Sequence, residues 1–218
     1  MSQKEFSCVD CGAINCNKRD SVYPEFCPTA ELTEEERQAV LELYGEPENH
    51  RMAVTAAAVE ADFYLKYTRV EETVEFARRM GYRKIGIATC VGLLEESRVF
   101  ARILRKNGFE VCGVVCKAGS VDKTEIGIPE EAYLGKGPGP VMCNPILQAK
   151  LLNKEGTDFN VVIGLCVGHD SLFYKYSEAP VTTLIAKDRV LGHNPAAALY
   201  QCGSYYSRLL KDGGKEKE

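Results

Sequence analysis

From residue 81 onward the sequence alternates two periodicities, and this restricts the fold more than any other feature. Four short apolar runs, at 84–89, 110–116, 160–166 and 181–187, read as strands. Stretches at 93–107, 145–154 and 169–176 repeat apolar residues at helical spacing, and a last helix is predicted from Pro195 to about residue 210. Strands joined through helices require right-handed crossovers and a parallel sheet covered on both faces. The near-continuous apolar character of the runs fits strands buried on both sides. The expected core is a doubly wound α/β domain over 81–211, with a mainly parallel sheet of about four to five strands.

Three helices are expected upstream. Thr33 and Glu36 form a capping box that opens one, ending at Gly45. An alanine-rich helix covers about 48–67, and a third covers 69–80, with Gly81 as terminator. Residues 31–80 thus read as a helical connector packed on the core, and the charged tail 212–218 as disordered.

The first thirty residues hold Cys-x2-Cys-x4-Cys-x10-Cys-Pro, at Cys8, Cys11, Cys16 and Cys27. So short a polar segment buries too little apolar surface to order itself, whereas a bound ion contributes folding energy directly. Residues 1–30 are therefore expected to form a metal-binding lobe with these four thiolates as ligands. One close pair followed by two single cysteines is not the usual double-pair zinc pattern. The proline after the last cysteine leans toward a [4Fe–4S] cluster, with zinc as the alternative.

The ten cysteines do not read as a disulfide framework. The N-terminus carries no apolar export segment, and the chain is long enough to build a core, so the expected compartment is the cytoplasm. The longest apolar stretch is too short to span a bilayer, so no membrane association is expected. A net charge of −4 and the lack of a basic stripe argue against a nucleic-acid partner. A small-molecule or redox partner is expected, and a homo-oligomer is left open.

A second constellation follows from the topology. Open parallel sheets bind ligands beyond the carboxyl ends of their strands. There the sequence places Cys90, Cys116 and Cys166, with His169, Asp170, Asp188 and His193, while Cys143 opens the helix before the third strand. Cys90 or Cys166 is the expected nucleophile or ligand, and His169 the acid–base group. Cys116, Cys143, Asp170, Asp188 and His193 are expected to bind or orient a cofactor. Against this stands the ordinary role of cysteine as a small buried hydrophobe, which is the expectation for Cys112 in mid-strand and Cys202 in the last helix. Gly-Lys-Gly-Pro-Gly-Pro at 135–140 lacks the Lys-Ser/Thr of a phosphate loop and reads as a turn-rich connection or a lid.

The cysteine-rich start, Ala88-Thr89-Cys90-Val91-Gly92-Leu93, Met142-Cys143-Asn144-Pro145, Gly164-Leu165-Cys166-Val167-Gly168-His169-Asp170 and the segment Lys187–Pro195 resemble an uncharacterised prokaryotic family, a "domain of unknown function" of cysteine-rich predicted metal-binding proteins. The resemblance covers nearly the whole chain. It implies metal binding through the N-terminal cysteines and no particular reaction. Two functions are therefore expected to compete. One is an iron–sulfur protein with a second thiol/His site for redox or thiolate chemistry. The other is a zinc-stabilised, non-enzymatic ligand-binding or metal-carrier protein.

Overall fold

Local signals in the sequence fix where most helices begin. A computed structural model of the chain describes residues 7–18, 22–133 and 139–211. The expected tail at 212–218 and positions 135–138 of the proline- and glycine-rich connection lie outside the described residues. The chain divides into two compact units, Met1–Ala58 and Val59–Glu218.

In the first unit, a 3-10 turn at Cys8–Asp10 is followed by two single-turn helices, α1 (Asn15–Lys18) and α2 (Pro28–Glu31). Helix α3 (Glu34–Gly45) starts at the expected capping box. The Thr33 hydroxyl accepts the Glu36 N–H at 3.2 Å, and the Glu36 carboxylate accepts the Thr33 N–H at 2.9 Å. Helix α4 (Pro47–Phe63) follows.

In the second unit, Thr68 and Glu71 form another capping box at the start of α5 (Arg69–Arg79). The elements then alternate: β1 (Lys84–Thr89), α6 (Leu94–Lys106), β2 (Glu110–Val115), α7 (Pro145–Lys154), β3 (Phe159–Ile163), α8 (His169–Tyr176) and β4 (Val181–Ile185). The four strands form one sheet, parallel throughout, in the order β2-β1-β3-β4. This is the expected doubly wound α/β architecture. One face packs Ile85, Ile87, Phe159 and Val161 against Val74 and Ala77 of α5 and Phe100 and Leu104 of α6. The other packs Ala88, Val114 and Val162 against Ala149 and Leu152 of α7 and Phe173 of α8. Two glycines are dictated by close approach. A Cβ on Gly86 would meet Asn160 Oδ1 at 1.9 Å, and one on Gly164 (φ +63°) would meet Leu93 Cδ1 at 1.9 Å.

The last expected helix is much shorter than the sequence suggests. Helix α9 covers only Ala196–Tyr200, turns follow, and a 3-10 segment closes the described chain at Ser207–Leu210. The Ser204 hydroxyl donates to the Gln201 side-chain oxygen at 2.8 Å, the kind of local hydrogen bond that competes with helix propagation. Cys202 is accordingly a half-buried turn residue rather than part of a helical core. Among the described residues, no helix is long and apolar enough to cross a membrane.

Candidate functional site

Three sulfurs meet where β1 and β2 end. The parallel ladder places Thr89 beside Val115, and the Cys116 N–H extends it by donating to Thr89 O at 2.8 Å. Cys90 and Cys116 are thus next-rung neighbours on adjacent strands, which lie ~4.8 Å apart. A loop brings in the third thiol. The Asn144 N–H donates to Cys116 O at 2.7 Å, the Asn144 side chain caps α7 by accepting the Leu147 N–H, and Lys117 Nζ donates to Val141 O at 2.6 Å. Cys143 is pinned between these ties.

The Cys116 thiol interacts with both Cys90 and Cys143, and the Val91 N–H donates to Cys116 Sγ at 3.3 Å. Lys187 Nζ donates to Cys90 Sγ at 3.3 Å, and the His169 imidazole hydrogen-bonds Cys143.

The electrostatics follow. Cys90 titrates at about 5, chiefly because it accepts from Cys116, helped by the Gly92 N–H and by Lys187 and opposed by burial. Cys143 titrates at about 4, held down by Cys116 first and then by His169, with Lys117 adding positive charge. Cys116 is pushed far above the ordinary thiol range by its two neighbours and by burial. His169 is raised, first by its hydrogen bond to Cys143. At neutral pH Cys90 and Cys143 are thiolates and Cys116 keeps its proton, with the Lys187 ammonium beside Cys90.

Accessibility sorts the three. Cys116 is 2% exposed and Cys90 8%, whereas Cys143 is only half-buried. Beneath them the fully buried Gln148 donates its amide to Thr89 O at 3.1 Å and to Val114 O at 2.7 Å, clamping β1 and β2 together near their carboxyl ends.

Four of the expected residues, Cys90, Cys116, Cys143 and His169, come together here. Asp170 sits beside His169 and adds to its positive character, though its carboxylate accepts the Ser171 N–H. Cys166 has a different partner, since Arg189 Nη2 donates to its sulfur at 2.9 Å. Asp188 and His193 engage one another. The Asp188 N–H donates to His193 Nδ1 at 3.1 Å, and the Asp188 carboxylate accepts the N–H groups of Val190 and Leu191. These contacts stabilise a tight turn. Sequence reasoning gave no role to Lys187, Lys117 or Gln148. Lysines at strand ends look like solvated charge, and only the fold aims one at a thiol.

The N-terminal cysteines are arranged differently. Cys8 and Cys16 are exposed, Cys11 is half-buried and Cys27 is buried. Hydrogen bonds from the Thr29 hydroxyl and from the Thr29 and Ala30 amides lower the Cys27 thiol. Among the described residues, no group of three or more His, Cys, Asp or Glu side chains is disposed to hold an ion.

A family model described as "Protein of unknown function (DUF1847)" matches residues 27–184, a span that includes Cys27, the three strand-end sulfurs and His169. The uncharacterized protein MJ0455 of Methanocaldococcus jannaschii is 48% identical over 176 residues, which is 81% of this chain and 88% of that protein. The chain therefore belongs to the DUF1847 family.

Proposed function

We propose that the second unit is a thiol–disulfide oxidoreductase, with Cys143 as the attacking thiolate and Cys116 as the resolving thiol. The observation that carries this reading is the asymmetry of the pair: the accessible sulfur is the readily ionised one, and its buried neighbour is the one kept protonated. Exchange needs such a division, because the thiolate is the nucleophile and the second sulfur must stay unreactive until a mixed disulfide forms.

The sequence of steps balances. The Cys143 thiolate attacks a disulfide R–S–S–R′, forming Cys143–S–S–R and releasing R′S⁻. Cys116 passes its proton to the Cys90 thiolate and attacks the Cys143 sulfur. This forms a Cys116–Cys143 disulfide and expels RS⁻, and Cys90 returns its proton to one of the released thiolates. An external dithiol restores the reduced protein and is itself oxidised to a disulfide. Lys187 holds the Cys90 thiolate, and the His169 imidazole orients Cys143. The partners are thus a disulfide-bearing substrate and a dithiol reductant. The cytoplasm is the proposed location, because a reducing compartment keeps such thiols available for exchange.

The test is to titrate the reduced protein with glutathione disulfide and map the cross-links by mass spectrometry. One intramolecular disulfide between Cys116 and Cys143 is expected. Persistent glutathione adducts on Cys143 without closure, or cross-links elsewhere, overturn the assignment. The iron–sulfur or zinc reading of Cys8, Cys11, Cys16 and Cys27 is supported by their spacing. It is tested separately, by metal and acid-labile sulfide analysis of anaerobically prepared protein, and metal-free protein discards it.

A further inference from the structure

We propose that the cleft between α6 and edge strand β2, on the sheet face opposite the three thiols, binds an organic anion: a carboxylate or phosphate ester with an apolar body. The cleft has a volume of about 660 Å³, inside the range of small-molecule sites, roughly 300–1,000 Å³. Its floor is the outer edge of the sheet, with Val111, Gly113 and Val115 alternating along β2.

Its wall carries Arg98, Arg102 and Arg105, spaced i, i+4, i+7 and so stacked in one stripe along α6. Arg98 is paired with Glu95. The Arg102 and Arg105 side chains make no ion pair or hydrogen bond among the described residues. A chain of net charge −4 has thus gathered three guanidinium groups and one carboxylate around its cleft. Guanidinium forks match carboxylate and phosphate oxygens in pairs.

Gly113 is the second, independent sign. Glycine weakens a strand and usually marks a bulge or a close approach. Neither is present here. Gly113 is in regular register opposite Ile87, its φ is not positive, and a Cβ built on it would meet nothing nearer than Ile87 O at 4.0 Å. Protein packing does not require the missing side chain, so the space it leaves above the floor is available to a bound molecule. A second copy of the chain docked across this edge by a two-fold axis would face the arginine stripe with its own, which disfavours that occupant.

The test uses octyl phosphate, octanoate and inorganic phosphate as probes, in calorimetric titrations of the full chain. One equivalent of octyl phosphate or octanoate is expected to bind, and whichever binds more tightly identifies the head group. Inorganic phosphate, lacking the apolar body, is expected to bind at least tenfold more weakly. Gly113→Val fills the floor at unchanged charge, and the double variant R102Q/R105Q removes charge at similar volume. Each is expected to weaken binding about tenfold, with circular dichroism unchanged. The proposal is overturned by failure of both amphiphiles to bind, by binding indifferent to either variant, or by a wild-type dimer that Gly113→Val converts to monomer.

Discussion

The molecule has two groups of cysteines, and they differ in what surrounds the sulfur. At the N-terminus Cys8 and Cys16 stand exposed on single-turn segments, and only Cys27 is buried. At the strand ends Cys90, Cys116 and Cys143 are fixed by the sheet ladder, by an amide, by Lys187 and by His169. Close spacing in sequence gives the first group its resemblance to a metal motif. Yet the second group, spread over more than fifty residues, is the one the fold assembles. Thiol chemistry is set by the cations and N–H groups around a sulfur, which a parallel sheet supplies wherever its strands stop.

Four substitutions would sharpen or break this contrast. Cys143→Ser should reduce disulfide exchange roughly a thousandfold by removing the thiolate, whereas Cys8→Ser should leave it unchanged; stopped-flow reduction of a chromogenic disulfide measures both. With Cys143 titrating at about 4, the wild-type rate of its alkylation should be flat from neutral pH down to about 5 and fall only below that. The sign for stability follows from the same depression. This thiolate's contribution is complete above the unfolded thiol value of about 8.5 and is lost as pH falls toward about 4.

Gln148→Met should cost about 1 kcal/mol in denaturant unfolding, because Thr89 O and Val114 O each lose a donor. Lys187→Met should raise the Cys90 titration by about one unit, read from thiolate absorbance, with a smaller change at Cys143. The smallest effect belongs to the first group. Cys8→Ser should shift stability by less than about 0.5 kcal/mol. A large loss accompanied by release of iron or zinc would reverse the comparison and make the N-terminal cysteines the organised ones.

Much of this architecture was legible in sequence, because its signals are local. β1, α7 and α8 run over Lys84–Thr89, Pro145–Lys154 and His169–Tyr176, the spans their sequences predict, since Pro145 and Asn144 start α7 and Gly156 ends its turn. The strand-end rule sets Cys90, Cys116 and Cys166 along one edge, and the ladder makes the first two neighbours. The remainder depended on distance in space. Cys143 reaches Cys116 only through the Asn144 amide, and Lys187 reaches Cys90 from the far side of the sheet order. The overrun at the last helix has the opposite origin. Pro195 marks where the last helix opens but nothing local marks its end, and the chain leaves the helix for turns after Tyr200. Asp188 and His193 hydrogen-bond within one turn, a pairing their spacing alone does not reveal because turn-forming side chains are of the same types as ligands.

The Gln148 clamp has a mechanical consequence. By gripping a carbonyl near the end of each strand it makes the floor under the sulfurs stiff, so that Cys116 behaves as an anvil. Any change in sulfur spacing must then be taken up by the lighter partner, the short Met142–Asn144 arm that carries Cys143. An oxidised molecule should differ from a reduced one in the pose of that arm, with the sheet itself at rest.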